Sequence, residues 1–169
     1  MKPKIIEYDL GIKKIIPILH NDERGFLGEF FRQDWIDILP NFFPKQFLIS
    51  QSKPGKIRAW HRHLKNQSDL LFVRKGIQMI CAYDGNEKSK SFSKLVKIKS
   101  DSKTPELIFI PGHLWHGTKN IGTETSETIY LINNLYDYKK PDEQRLDFNN
   151  SSIIDPETQK PFDWNVNNK

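Results

Sequence analysis

Two histidines two positions apart, His61 and His63, stand in the segment KIRAWHRH at residues 56–63. The segment is rich in β-formers, and on a strand residues i and i+2 face the same side. Both imidazoles are therefore expected to look into one cavity. Arg58 and Arg62 flank them, Asp69 follows, and Gly76 marks a turn. Farther along, PGHLWHG at 111–117 adds His113 and His116, and Tyr130 lies in TIYLINN. Two chemistries are open to this set. Imidazoles with a carboxylate can ligate Fe, Mn, Ni or Zn. A neutral imidazole can also take a proton from a substrate carbon as a general base with no metal involved.

The elements that must hold these residues read as strands. IIEYDL and KKIIPIL open the chain, followed by a loop at NDERG, residues 21–25. The aromatics of FLGEFFRQDW favour a strand through about Arg32. Residues 33–44 have room for one short helical turn before Pro40, and Pro44 ends it. QFLISQS, KIRAWHRH, DLLFVRKG, IQMICAYD, SKLVKIKS and ELIFIPG are the next strands, with turn signals at Pro54-Gly55, Gly76 and Asp84-Gly85-Asn86. HLWH reads as a loop and ETIYLINNLYDY as the strand after it. From about residue 140 the tail is polar and interrupted by prolines. No segment keeps a helical period over three turns. Short strands at spacings of about ten residues predict an all-β sandwich or barrel. The 169 residues suit a single domain, 1–169, with a real core.

Composition narrows the function. A net charge of +5 and a pI near 9.2 suit an anionic ligand. Lys75, Lys88, Lys90, Lys94, Lys97, Lys99 and Lys103 are scattered without stacking aromatics, which reads as a solvated hairpin and not a nucleic-acid surface. There is no apolar run long enough for a membrane span. The first residues carry charges and no small-residue cleavage site, so a cytoplasmic protein is expected. The single cysteine, Cys81 in IQMICAY, excludes an internal disulfide and reads as a buried, inert thiol. Trp60 and Trp115 read as packing residues, and Asp84 as a turn cap with Gly85.

Two motif sets carry a resemblance. Gly55, His61-x-His63, Asp69, Gly76, Pro111, His116 and Asn120 follow the order of the cupin superfamily pattern. Asp69 stands where that pattern has Glu, and His113 where it has Gly. The resemblance implies a cupin-type β-barrel or jelly roll with short helical turns, and a candidate metal set of His61, His63, Asp69 and His116. The second set is Asp22-Glu23-Arg24-Gly25-Phe26 with Glu29 and Phe30, then GKIRAWH, Gly76, Asp84, PGHLWHG and Tyr130. Over roughly residues 20–140 it resembles the dTDP-4-dehydrorhamnose 3,5-epimerase family, of which the chain is read as a divergent member.

That second resemblance implies a chemistry. A 4-keto sugar has acidic hydrogens at C3 and C5. By resemblance His61 is the base that removes one, and Tyr130 the acid that returns a proton on the other face. The enolate between them needs positive charge or hydrogen bonds at its oxygen. Arg24, Glu29, Gln46 and Arg58 would hold the nucleotide diphosphate and sugar, arginine suiting diphosphate through its planar fork. His116 would line the sugar pocket, and Tyr136 or Tyr138 would stack on the base. No cofactor, nucleic acid or membrane partner is implied. A homodimer that swaps an N-terminal strand is expected.

Two departures fall in the catalytic shell. The family's lysine near the enolate oxygen is Asp69 here. The aspartate that supports the family's base has no clear counterpart, only Asp155 and Asp163 as candidates. His63 is additional. The alternatives are a metal-dependent enzyme using His61, His63, Asp69 and His116, and a sugar-nucleotide binder without turnover. The neighbours of Asp69 discriminate: histidines or a metal favour the metal enzyme, an arginine or lysine the altered epimerase.

Overall fold

The computed structural model describes residues 2–65 and 67–165 and is all-β. In chain order the strands are β1 Lys4–Glu7, β2 Lys13–Ile16, β3 Leu19–Asp22, β4 Gly25–Gly28, β5 Gln46–Ser52, β6 Ile57–Arg62, β7 Ser68–Lys75 and β8 Ile77–Tyr83. They continue with β9 Leu95–Asp101, β10 Leu107–Pro111, β11 Trp115–Asn120, β12 Ser126–Ile132, β13 Gln144–Arg145, β14 Ile154–Asp155 and β15 Lys160–Pro161. A six-stranded sheet has the order β1-β2-β10-β7-β12-β5, and a five-stranded sheet the order β13-β6-β11-β8-β9. Every pairing is antiparallel. Two sheets with interdigitating inner faces make the double-sheet jelly roll, a sandwich as the strand pattern predicts and of the kind the resemblance implies.

Alternation sorts the side chains into three layers. Leu71, Val73, Ile80, Ala82, Ile98, Ile108 and Ile110 fill the space between the sheets. Trp60, Met79, Cys81, Tyr83 and Trp115 lie on the outer face of the five-stranded sheet, where Ile153, Phe162 and Trp164 of the tail cover them. Ile15, Leu70 and Leu107 on the other outer face are covered by Trp35, Ile38, Leu39 and Phe42. The polar tail therefore supplies part of the core. Its pairings are short, β13 on β6 and β14 on β15, and isolated apolar residues anchor it.

Three expected elements differ. The strand predicted through Arg32 ends at Gly28. Phe30 and Phe31 are consecutive yet both pack on the same cluster, which an alternating strand cannot arrange. The loop predicted at His113–His116 is shorter, because β11 begins at Trp115. The last long strand stops at Ile132. The helical turn between 33 and 44 is a 3-10 turn, Trp35–Asp37.

Candidate active site

The inner faces of the two sheets position the chemical residues. On β6 Trp60 points out while His61 lines a cavity; on β7 Asp69 shares the inward face with Leu71 and Val73; on β11 His116 lies opposite His61. On β12 Tyr130 lies across from Leu71, and Ile132 across from Asp69. Arg62, one step out of phase with the histidines, has turned outward and covers the Trp115 ring at 4.4 Å. The cavity measures about 720 Å³ and is walled by residues of both sheets.

At its base the imidazoles crowd together. Ring centroids of His61 and His116 are 4.2 Å apart, those of His63 and His116 5.6 Å, and those of His61 and His63 5.9 Å. His61, His63, Asp69 and His116 each offer a ligand atom, and these atoms lie within 4.8 Å of one another. His63 Nδ1 is 2.6 Å from the Asp142 carbonyl, and His116 Nδ1 is 2.8 Å from the Leu114 carbonyl. The Gln67 amide nitrogen is 3.0 Å from both His63 Nε2 and Asp69 Oδ1. His116 Nε2 is buried 3.3 Å from Asp69 Oδ2, without a hydrogen bond of its own.

Burial and these neighbours set the charge states. Burial, reinforced by the nearby His116, holds the His61 pKa well below its ordinary value, so the ring is neutral at pH 7. Burial alone would push the Asp69 carboxyl up. The adjacent His116, with smaller contributions from His63 and His61, brings it net down to about 2. Burial raises the Tyr130 phenol, which the nearby Ser50 hydroxyl only partly offsets, so the group stays protonated.

The predicted site residues divide. His61, His63, Asp69, Arg58, Tyr130 and Tyr136 line the cavity. Arg58 is braced by the Ser52 hydroxyl and the Gln51 carbonyl. His116, expected in the cavity wall, is 2% exposed and sits behind it against Asp69. Gln46 is outside the cavity and accepts a hydrogen bond from the Tyr136 backbone N–H at 2.8 Å, so it orients that tyrosine. Tyr138 is also outside, its ring 5.0 Å from that of Tyr136. Arg24 and Glu29 do not line this cavity; they pair locally with Asp22 and Arg32. Neither candidate for the base's carboxylate partner reaches His61. Asp155 binds Lys97, and Asp163 accepts from the Asn165 N–H. Asp69 faces the three histidines, with no lysine or arginine bridged to it among the described residues.

Sequence reasoning did not find Lys65, Lys140 and Arg145, three cations on the cavity, nor Gln67 and Asp142 around His63. They lie in a loop and in the tail, where no periodicity marks a facing. Lys140 and Arg145 stand in KKPDEQR, where charges of both signs mix in the polar tail.

Comparisons with known proteins agree with this architecture. The family described as dTDP-4-dehydrorhamnose 3,5-epimerase matches residues 10–157. The probable low-salt glycan biosynthesis epimerase Agl13 of Haloferax volcanii is 39% identical over 145 residues, 86% of this chain and 87% of that protein. The spore coat polysaccharide biosynthesis protein SpsL of Bacillus subtilis is 32% identical, over 92% of this chain and 96% of its own. The crystal structure of the dTDP-4-dehydrorhamnose 3,5-epimerase from Sulfolobus tokodaii superposes with a TM-score of 0.77 at 29% identity, covering 92% of this chain and 86% of that one. No helix among the described residues is long and apolar enough to cross a membrane. With its jelly roll and these relatives, the chain belongs to the dTDP-4-dehydrorhamnose 3,5-epimerase family of sugar-nucleotide epimerases.

Proposed function

We propose that the protein epimerises a nucleoside-diphosphate 4-keto-6-deoxyhexose, with His61 as base and Tyr130 as acid. One observation carries the reading: a neutral imidazole and a protonated phenol, one from each sheet, open on the same cavity. A hydrogen on the carbon beside the ketone passes as a proton to a ring nitrogen of His61, and its bonding pair becomes the enolate. The Tyr130 hydroxyl then delivers its proton to the opposite face of that carbon. The sugar leaves with inverted configuration and the same composition.

The cavity's charge supports a diphosphate substrate. Arg58, Lys65, Lys140 and Arg145 are its cations, and Tyr136 offers a ring for the nucleobase. Arg24 and Glu29 sit on the β3–β4 hairpin, which exposes Phe26 at 54% and Leu27 at 73%. We extend the proposal to a homodimer in which this hairpin lies on the partner subunit and brings Arg24 and Glu29 to the partner's cavity.

The test is solvent exchange. Incubation of dTDP-4-keto-6-deoxyglucose with the protein in deuterated water is expected to place deuterium at C3, C5 or both. His61→Ala and Tyr130→Phe should each slow this by about 10²–10⁴-fold, the usual contribution of a positioned acid or base. Binding of the nucleotide sugar without any exchange would replace the epimerase by a binding protein.

A further inference from the structure

We infer that Thr118 is a positioning residue for Tyr130, its hydroxyl placed to donate a hydrogen bond to the phenolate oxygen that forms when Tyr130 gives up its proton. The inference rests on the epimerase reading above. Tyr130 stands on β12 of the six-stranded sheet, across from Leu71, and faces the interior. Thr118 stands on β11 of the five-stranded sheet, between Arg58 on β6 and Ile80 on β8, and faces the interior too. The two side chains approach from opposite walls. The Ser50 and Thr118 hydroxyls both lie near enough to act on the phenol.

Thr118 is 4% exposed, and its hydroxyl has no hydrogen-bond partner among the described residues. Its polar neighbours in the same layer are bonded. The Gln78 amide donates to Ser126 Oγ at 2.7 Å and to Thr128 Oγ1 at 3.3 Å. Arg58 Nε donates to Ser52 Oγ at 3.0 Å, and the Asn120 amide donates to the Ser52 and Glu124 carbonyls. A buried hydroxyl left unpaired is unfavourable, and native interiors keep few of them. A donor that is idle in the resting site gains its partner when negative charge forms beside it. Gln78 Oε1 is also unpartnered, but it is an acceptor and cannot serve an anion.

Tyr130 needs such a donor. When its proton passes to the carbon of the enolate, the electron pair of the broken O–H bond stays on the phenolic oxygen. Burial opposes that charge most, and Asp69 on β7 adds to the opposition. Ser50, Thr118 and Arg58 act the other way. Two Arg58 N–H groups are already engaged by the Ser52 hydroxyl and the Gln51 carbonyl. Of the histidines nearby, His116 is turned to Asp69, and His61 is neutral until it takes the sugar's proton. Thr118 keeps its own proton throughout, and solvent water returns one to Tyr130 after the product leaves. Thr118 does not line the cavity, so its loss is expected to leave substrate binding alone.

Two readouts test this, one of them independent of turnover. Thr118→Val removes the hydroxyl and nearly keeps the shape. Deuterium exchange should slow by about ten-fold, with KM within about two-fold of the parent, since the donor acts after binding. Thr118→Ser should restore the rate. For the second readout Tyr130 is replaced by difluorotyrosine, whose phenol ionises at lower pH, and fluorine NMR follows it in the free protein. Thr118→Val should move that ionisation to higher pH, by about ten-fold in the constant, and Thr118→Ser should bring it back. Thr118→Ala, which cannot crowd the layer, should match Thr118→Val in both. An ionisation that ignores the loss of the hydroxyl overturns the inference, whatever the rate does. So does exchange at the parent's rate in Thr118→Val and Thr118→Ala, or a Thr118→Ser variant no better than Thr118→Val. A parent that binds the nucleotide sugar without exchange sinks the epimerase reading instead, and the ionisation then decides the Thr118 contact by itself.

Discussion

The substitution Gly112→Ala tests whether the loop under the site is as tightly placed as the distances say. Gly112 follows β10, and its carbonyl accepts the His63 N–H at 2.6 Å. A Cβ at this position would lie 1.8 Å from the Gln67 carbonyl oxygen and 3.2 Å from His63 Cβ. Normal contact is about 3.5 Å, so one of the two segments must move by roughly 1.5 Å. Overfilling a packed site costs about 1–3 kcal/mol. For a chain of this size each kcal/mol lowers the melting temperature by about 2–4 °C. The functional loss should be larger than the stability loss. Gln67 is two residues from Asp69, and its amide joins His63 to Asp69. A misplacement of about 1 Å can reduce a rate by about 10²-fold. Thermal melts and deuterium exchange on the same preparation give both numbers. Gly122→Ala is the control, since its Cβ would meet nothing nearer than 3.4 Å. A Gly112→Ala protein that melts with the parent and exchanges within about two-fold of it would refute the placement of this loop.

Trp60→Ala should cost about 3–5 kcal/mol in urea unfolding, because the ring is 1% exposed and packs on Phe162 and Trp164. Limited proteolysis of that variant should cut first in the tail, since the Trp60 and Trp164 indole N–H groups both donate to the Phe148 carbonyl. Cys81 is fully buried, and burial pushes its thiol far above the usual range. It should not react with dithionitrobenzoate at pH 8 until the protein is denatured, and rapid reaction of the folded protein would contradict the packing. Light scattering behind size exclusion should give the mass of two chains. The double change Phe26→Ser with Leu27→Ser should give the mass of one, and an unchanged dimer would remove the hairpin from the interface.

Much of this was legible before the structure because an inner and an outer layer impose a period of two. β6 and β12 announce themselves as strands in that way, whereas the roles of His61, Arg58 and Tyr130 were assigned by the family resemblance; Arg58 and His61 differ in parity, and the β6–β11 pairing shifts register between them. β11 does not announce itself, for a physical reason. It is the middle strand of the five-stranded sheet and is buried on both faces, so WHGTKN shows no alternation, and its first two residues were read as part of the HLWH loop. The tail hides for the opposite reason. Its two-residue pairings are too short to show a period, and Ile153, Phe162 and Trp164 are spaced irregularly along polar chain. The cations Lys65, Lys140 and Arg145 come from such segments, so their convergence on the cavity is a property of the fold alone.

The rule that residues i and i+2 share a face placed His61 and His63 together, and it offered no way to tell them apart. What distinguishes them lies behind each ring. His63 has the Asp142 carbonyl at its back and Gln67 at its front, so its tautomer is fixed; His61 has neither. Asp142 belongs to the tail and also accepts from the Leu64 and Lys65 backbone N–H groups, so the tail locks the loop that carries His63. A carboxylate beside an enolate is unfavourable by itself, yet this one is buried against three imidazoles, with His116 Nε2 3.3 Å from its Oδ2. A metal site and an acid/base site began as competing accounts of one strand. What separates the two histidines is what stands behind each ring: His63 is held between the Asp142 carbonyl and Gln67, while His61 opens on the cavity.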